Sequence, residues 1–208
     1  VLAVYLHGTV YTLLSPAGNG HELCHGTAFR TRWLNEAILR VVAFFSWTNF
    51  IWFRTSHAKH HQLTVYADLD LEVVLPAKVD WKGWLSVLTF NLPHFVYAVT
   101  TNTRHTFGVL KGEWEKRLFE GPAAAKQRRK LFGWARVLLL GHLALVALFV
   151  GTGNWILIFL VTLAPFIGAW LNFLVAFPQH VGLSPNVPDF RLSCRTVLLN
   201  PVFRFLYA

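Results

Sequence analysis

The chain has 208 residues, of which 54% are hydrophobic and only 14% charged, whereas an ordinary soluble domain is about 25% charged. That balance excludes a conventional water-facing globular surface. The formal charge of +9 does not indicate nucleic acid either, because Lys and Arg stand beside apolar stretches and are not spread over a polar domain.

In chain order, the apolar stretch Val1 to Leu14 is too short for a complete span, which needs about 20 residues. It reads as the final turns of a membrane helix whose start precedes the chain, an expectation that the lack of any methionine supports. Ser15 to Gly20 is expected to loosen or kink that helix at the interface. A helix-competent stretch with His21 and His25 follows, and then the apolar run Ala37 to Phe53. A crossing there would put the histidines on its two sides on opposite faces of the membrane. It is therefore predicted to be one interfacial or re-entrant helix, which suits Trp47, Trp52 and the nearby arginines.

The aromatic segment Trp81 to Leu110, broken by Pro93, fits either an interfacial or an inserted position. Gly121-Pro122 and the basic residues Lys126 to Lys130 read as a polar link into a hairpin of two spans, about 134–150 and 155–177. No Asp, Glu, Lys or Arg occurs between Arg136 and Asp189. Pro165 is expected to kink the second arm and Pro178 to end it. Basic residues flank both ends of the hairpin while its tip, Gly151 to Asn154, is uncharged, so both ends are predicted to be cytoplasmic. Cys24 and Cys194 fall on that same side, where a disulfide is not expected. The predicted fold is all-α: a single multi-pass membrane helical bundle with a histidine-rich cytoplasmic cap.

The chemistry is carried by histidines. In His21-Glu22-Leu23-Cys24-His25 the two imidazoles lie one helical turn apart on one face. In His57-Ala58-Lys59-His60-His61, His57 shares a face with both later histidines, while His60 and His61 diverge enough to reach different ions. His180, at the end of the last apolar arm, is expected at the same membrane depth. Packing alone gives no reason for two such boxes, and imidazole suits zinc, copper, iron and nickel. Asp68 and Asp70, with Glu72, follow the second box at alternate positions and could accept from imidazole N–H groups, although a solvated acidic turn is the simpler account of them. His7, His94, His105 and His142 lack metal spacing and read as structural. Cys24 reads as a small helix residue.

His21 to His25 also matches H-E-x-x-H, the zinc-protease pattern in which the glutamate is a general base. That rival needs a third ligand from another segment and leaves the second box without a purpose. Carboxylate-bridged di-iron bundles need paired Glu-x-x-His motifs, of which Glu22 to His25 is the single instance. A haem protein or a carrier has no use for the tight second box.

The two boxes, the helical hairpin and His180, with the stretch His25 to Asn35 after the first box, resemble the membrane fatty-acid desaturase and hydroxylase superfamily over nearly the whole chain. The resemblance implies that His21, His25, His57, His60, His61 and His180 are ligands of two irons. It places a third HxxHH box, absent here, just beyond Ala208, which the tail Asn186 to Ala208 would approach. It further implies O₂-dependent removal of hydrogen from an acyl chain in a membrane lipid or acyl thioester. Electrons would come from a ferredoxin or cytochrome b5 type donor, in a bacterial inner membrane or the endoplasmic reticulum. Desaturation is the expected outcome, with hydroxylation or ketolation as the alternative within the superfamily.

Overall fold

A computed structural model describes residues 1–16, 18, 20–73, 80–202 and 204. They form helices with no β-strand among the described residues, as the sequence predicts. Helix α1 (Leu2–Tyr11) runs into a short 3-10 turn, Thr12–Leu14. After it come α2 (His21–His25), α3 (Arg32–Phe45), α4 (Phe50–Leu63), α5 (Trp81–Leu88), α6 (Leu92–Thr106), α7 (Glu113–Phe119), α8 (Ala125–Gly151), α9 (Trp170–Ala176) and α10 (Phe190–Ser193). Of the segment expected to loosen the first helix, Ala17 and Asn19 lie outside the described residues, as do Phe203 and the last four residues of the tail.

Helix α8 is 27 residues long and the one described helix both long and apolar enough to cross a membrane. At 1.5 Å per residue it extends about 40 Å, more than the roughly 30 Å hydrocarbon layer. Lys126 to Lys130, expected in a polar link, instead make up its first turns. Leu140, Leu143, Leu148 and Val150 point outward from it.

Two predicted elements are divided. The run Ala37 to Phe53 is not one helix: α3 ends at Phe45 and α4 begins at Phe50. The corner between them is set by Trp47 in the left-handed region (φ 57°) and by Asn49, whose side chain accepts from the Trp52 N–H to cap α4. Trp47 is held there by its indole N–H, which donates to the Thr162 carbonyl at 2.9 Å, and the Trp134 indole closes the corner on the Thr48 carbonyl at 3.1 Å. Such fixed partners offset the cost of the unusual backbone.

The second apolar arm is also not continuous. A π turn (Ile158–Thr162) and a 3-10 turn (Ala164–Phe166) precede extended Ile167, which pairs with Phe90, and the chain re-enters helix at Trp170. Pro165 lacks an N–H and stops the ladder here rather than merely bending it. The break is met closely by α1, where a Cβ on Gly8 would lie 2.7 Å from the Ile167 carbonyl oxygen. Glycine is therefore what permits α1 to seal it.

The core under the first box consists of Leu23, Cys24, Leu39, Ala43 and Phe50, with Trp134 packed against it. His142, 1% exposed, is stacked between Phe44 and Trp47 with Nε2 3.0 Å from the Phe44 carbonyl. Its Nδ1 has no partner among the described residues.

Candidate metal centre

The first box forms α2, a helix of a single turn that stops at Gly26 (φ 75°). The Gly26 N–H bonds the Leu23 carbonyl and the Thr27 N–H the Glu22 carbonyl, a left-handed cap that only glycine adopts freely. Beyond it, buried Asn35 fixes the loop: its amide donates to the carbonyls of Phe29 (2.6 Å) and Gly26 (3.2 Å), and its oxygen accepts from the Phe29 N–H at 3.0 Å. Arg54 ties α2 to α4 and α3, donating to the Cys24 carbonyl at 3.1 Å and pairing with Glu36 at 2.7 Å. Burial pushes the Cys24 thiol up to about 12, so it stays a protonated core residue.

Through these ties the boxes face each other. His21, His25, His57 and His61 each offer a nitrogen within 4.8 Å of the others, a group able to hold a metal ion. His57 Nε2 lies 2.7 Å from His21 Nε2 and 3.0 Å from His61 Nε2. His60 points elsewhere, its ring 5.2 Å from that of His180 and nearly perpendicular to it. Of the adjacent residues, His61 belongs to the four-histidine group and His60 lies beside it, its ring 5.6 Å from that of His57.

Carboxylates and carbonyls orient these rings from behind. His57 Nδ1–H donates to Glu72 Oε1 at 2.7 Å. His60 Nδ1–H donates to Asp70 Oδ2 at 2.7 Å, and Asp70 is itself fixed by the Val65 and Glu72 N–H groups. His180 Nδ1–H donates to the Ser193 carbonyl at 2.8 Å. Each partner holds the proton on Nδ1 and leaves the Nε2 lone pair free to bind a metal. The tail reaches His180 because Asn186 docks on the second box's turn, accepting from the Ala67 N–H at 2.7 Å, while the Arg195 N–H donates to the Gln179 carbonyl at 2.9 Å.

A family model described as fatty acid desaturase matches residues 1–208. The chain belongs to the fatty acid desaturase family. Neither a curated protein nor a solved structure matches it significantly. In this member of the family, the donor set fits a transition metal: four imidazoles from two segments converge, with His57 oriented from behind by Glu72 and His21 in contact with Glu22.

The acidic residues divide in a way alternation alone does not predict. Asp70 and Glu72 meet the histidines, whereas Asp68 sits at φ 64° and, among the described residues, offers its backbone carbonyl to Arg117 at 2.5 Å. The solvated-turn reading is therefore corrected for Asp70 and Glu72, and the orienting reading is corrected for Asp68. Two further contributors carry no local signal: Ser56 donates to Glu72 Oε2, and the Trp114 indole N–H donates to Ser56 Oγ at 2.8 Å. Glu22 touches His21 on its Nδ1 side at 3.2 Å and accepts from the Thr27 hydroxyl. That places it behind the imidazole and not beside the converging nitrogens, where the general base of a zinc protease must stand.

Burial, followed by the neighbouring imidazoles, lowers the pKa of His25, and burial first of all lowers that of His21. Desolvation and then His57 bring His61 from 6.5 down to about 4. His21, His25 and His61 are thus held in the neutral, metal-binding form at pH 7. A histidine whose folded pKa is depressed is protonated more readily in the unfolded chain, so stability falls as pH drops from the unfolded value. Metal-stripped protein is expected to lose thermal stability as pH falls from about 6.5 towards about 4. A melting series in detergent checks this, and a flat profile across that interval would contradict the neutral cluster.

A cavity lies across Phe53 from the cluster, whose histidines are not part of its wall. The Phe53 ring stacks on His57 at 5.0 Å and lines a space of about 230 Å³, walled also by Trp47, Trp52, Ala98 and Pro165.

Proposed function

We propose that this protein is a membrane oxidoreductase that introduces a double bond into the acyl chain of a lipid or acyl thioester. It would do so with a pair of histidine-held irons and O₂. The observation that carries the reading is the gathering of six imidazoles from three distant stretches into two adjacent groups, in a chain of the fatty acid desaturase family.

His21, His25, His57 and His61 would hold one ion, and His60 and His180 would contribute to the second. The irons, when bound, supply the one-electron chemistry with dioxygen that removes hydrogen from an unactivated methylene. The protein's part would be to orient the imidazoles through Glu72, Asp70 and the Ser193 carbonyl and to hold the chain in the cavity that Phe53 separates from His57. The apolar outer face of α8 and the basic residues at its start support a multi-pass membrane protein with the histidines on the cytoplasmic side. A ferredoxin or cytochrome b5 type protein would deliver the electrons.

The test is mass spectrometry of lipids from cells expressing the full-length gene. Acyl chains that have lost two hydrogens support desaturation. Chains that have gained oxygen with no new double bond would assign the protein to hydroxylation instead.

A further inference from the structure

The cavity, separated from His57 by Phe53, exposes mainly apolar surface, as an alkyl chain requires, but it also contains buried polar atoms that such a chain cannot satisfy. Asn102 and His105, 3% and 0% exposed, lie in its wall three residues apart on α6, hence on one face of that helix. The Asn102 amide nitrogen donates to the carbonyls of Trp47 (3.2 Å) and Ala98 (3.0 Å). Two carbonyl acceptors fix which way the amide points, so Oδ1 is a buried acceptor, and it has no donor among the described residues. His105 Nε2 stands 3.3 Å from Glu115 Oε2 without a hydrogen bond, and its Nδ1 likewise has no partner among the described residues. The Trp52 indole N–H, a pure donor in the same wall, has no acceptor among the described residues.

Leaving a buried donor or acceptor unmet costs about 1–3 kcal/mol, and a plain hydrocarbon would leave all of these unmet. The chemical type of the missing partner follows from the wall. A ketone oxygen accepts from Trp52 but has nothing to give Asn102 Oδ1. A carboxylate would bring a buried charge to a wall that has no lysine or arginine. A hydroxyl both donates and accepts, and it is neutral.

Building on the acyl-chain reading of the site, we propose that this cavity selects a chain carrying a hydroxyl group along its buried portion, with Asn102 and Trp52 as the specificity-determining residues. The test measures binding of hexadecanoic acid and of a series of hydroxyhexadecanoic acids, with the hydroxyl moved along the chain, to the full-length protein in detergent. Iron content is determined on the same samples.

At least one mid-chain hydroxy acid is expected to bind about tenfold more tightly than the unsubstituted acid, as one or two net hydrogen bonds allow. Asn102→Leu should erase that preference. Because Asn102 also braces Trp47, Trp52→Phe provides the second variant, expected to reduce the ratio to a few-fold. Equal or tighter binding of the plain acid, or an unchanged ratio in Trp52→Phe, overturns the proposal. Iron present without the preference defeats only this inference, whereas the preference without iron defeats only the proposed reaction.

Discussion

Replacing His61 with alanine is expected to lower turnover by about a thousandfold or more, because the difficult chemistry belongs to the metal and not to protein groups. His61 is one of the four imidazoles that converge, and its loss leaves a three-ligand group around His57. Iron content per protein should fall with activity, while far-UV circular dichroism should change little, since His61 is exposed on the surface of α4 and makes no core contact. Glu22→Gln is the informative companion. If the first box served a zinc protease, this change would remove the general base and all activity. With Glu22 engaged behind His21 and by Thr27, a modest loss of a few-fold is expected instead. Full inactivation by Glu22→Gln with iron retained would contradict the arrangement described above.

The second large effect is expected at Glu72, through position rather than direct ligation. Both of its oxygens are engaged, one by His57 Nδ1–H and the other by the Ser56 hydroxyl, which the Trp114 indole supports in turn. Glu72→Ala should weaken metal binding and activity by about 10–100-fold, the usual consequence of removing the group that orients a ligating histidine. Glu72→Gln retains an oxygen that accepts from His57 and should restore much of the loss. Ser56→Ala should fall between the two. Metal affinity measured by competition with a chelator separates this from general destabilisation, because a merely structural defect would lower the melting temperature without this ordering. If Glu72→Gln is as damaged as Glu72→Ala and both bind metal normally, the orienting role is wrong.

The sequence determined what depends on short-range geometry. Helical periodicity alone made His21 and His25 neighbours and sent His60 and His61 in different directions, since residues four apart share a face and adjacent ones lie about 100° apart on a 3.6-residue turn. The all-helical class and the long apolar helix followed from hydropathy. Tertiary structure decided what depends on which distant segments meet. The chain turns at Trp47 because its indole finds the Thr162 carbonyl 115 residues later, and no local pattern contains that partner. Pro165 breaks the second arm because Gly8 and Phe90 pack into the gap. Among three acids with equal claims in the sequence, Asp70 and Glu72 turn inward and Asp68 outward, a choice made by the backbone of a loop. Placing His180 against His60 required the tail to fold back through Asn186 and Arg195. Spacing along a helix is fixed by covalent geometry, whereas contacts across the fold exist only once the apolar faces have packed, and they are therefore invisible to any local pattern.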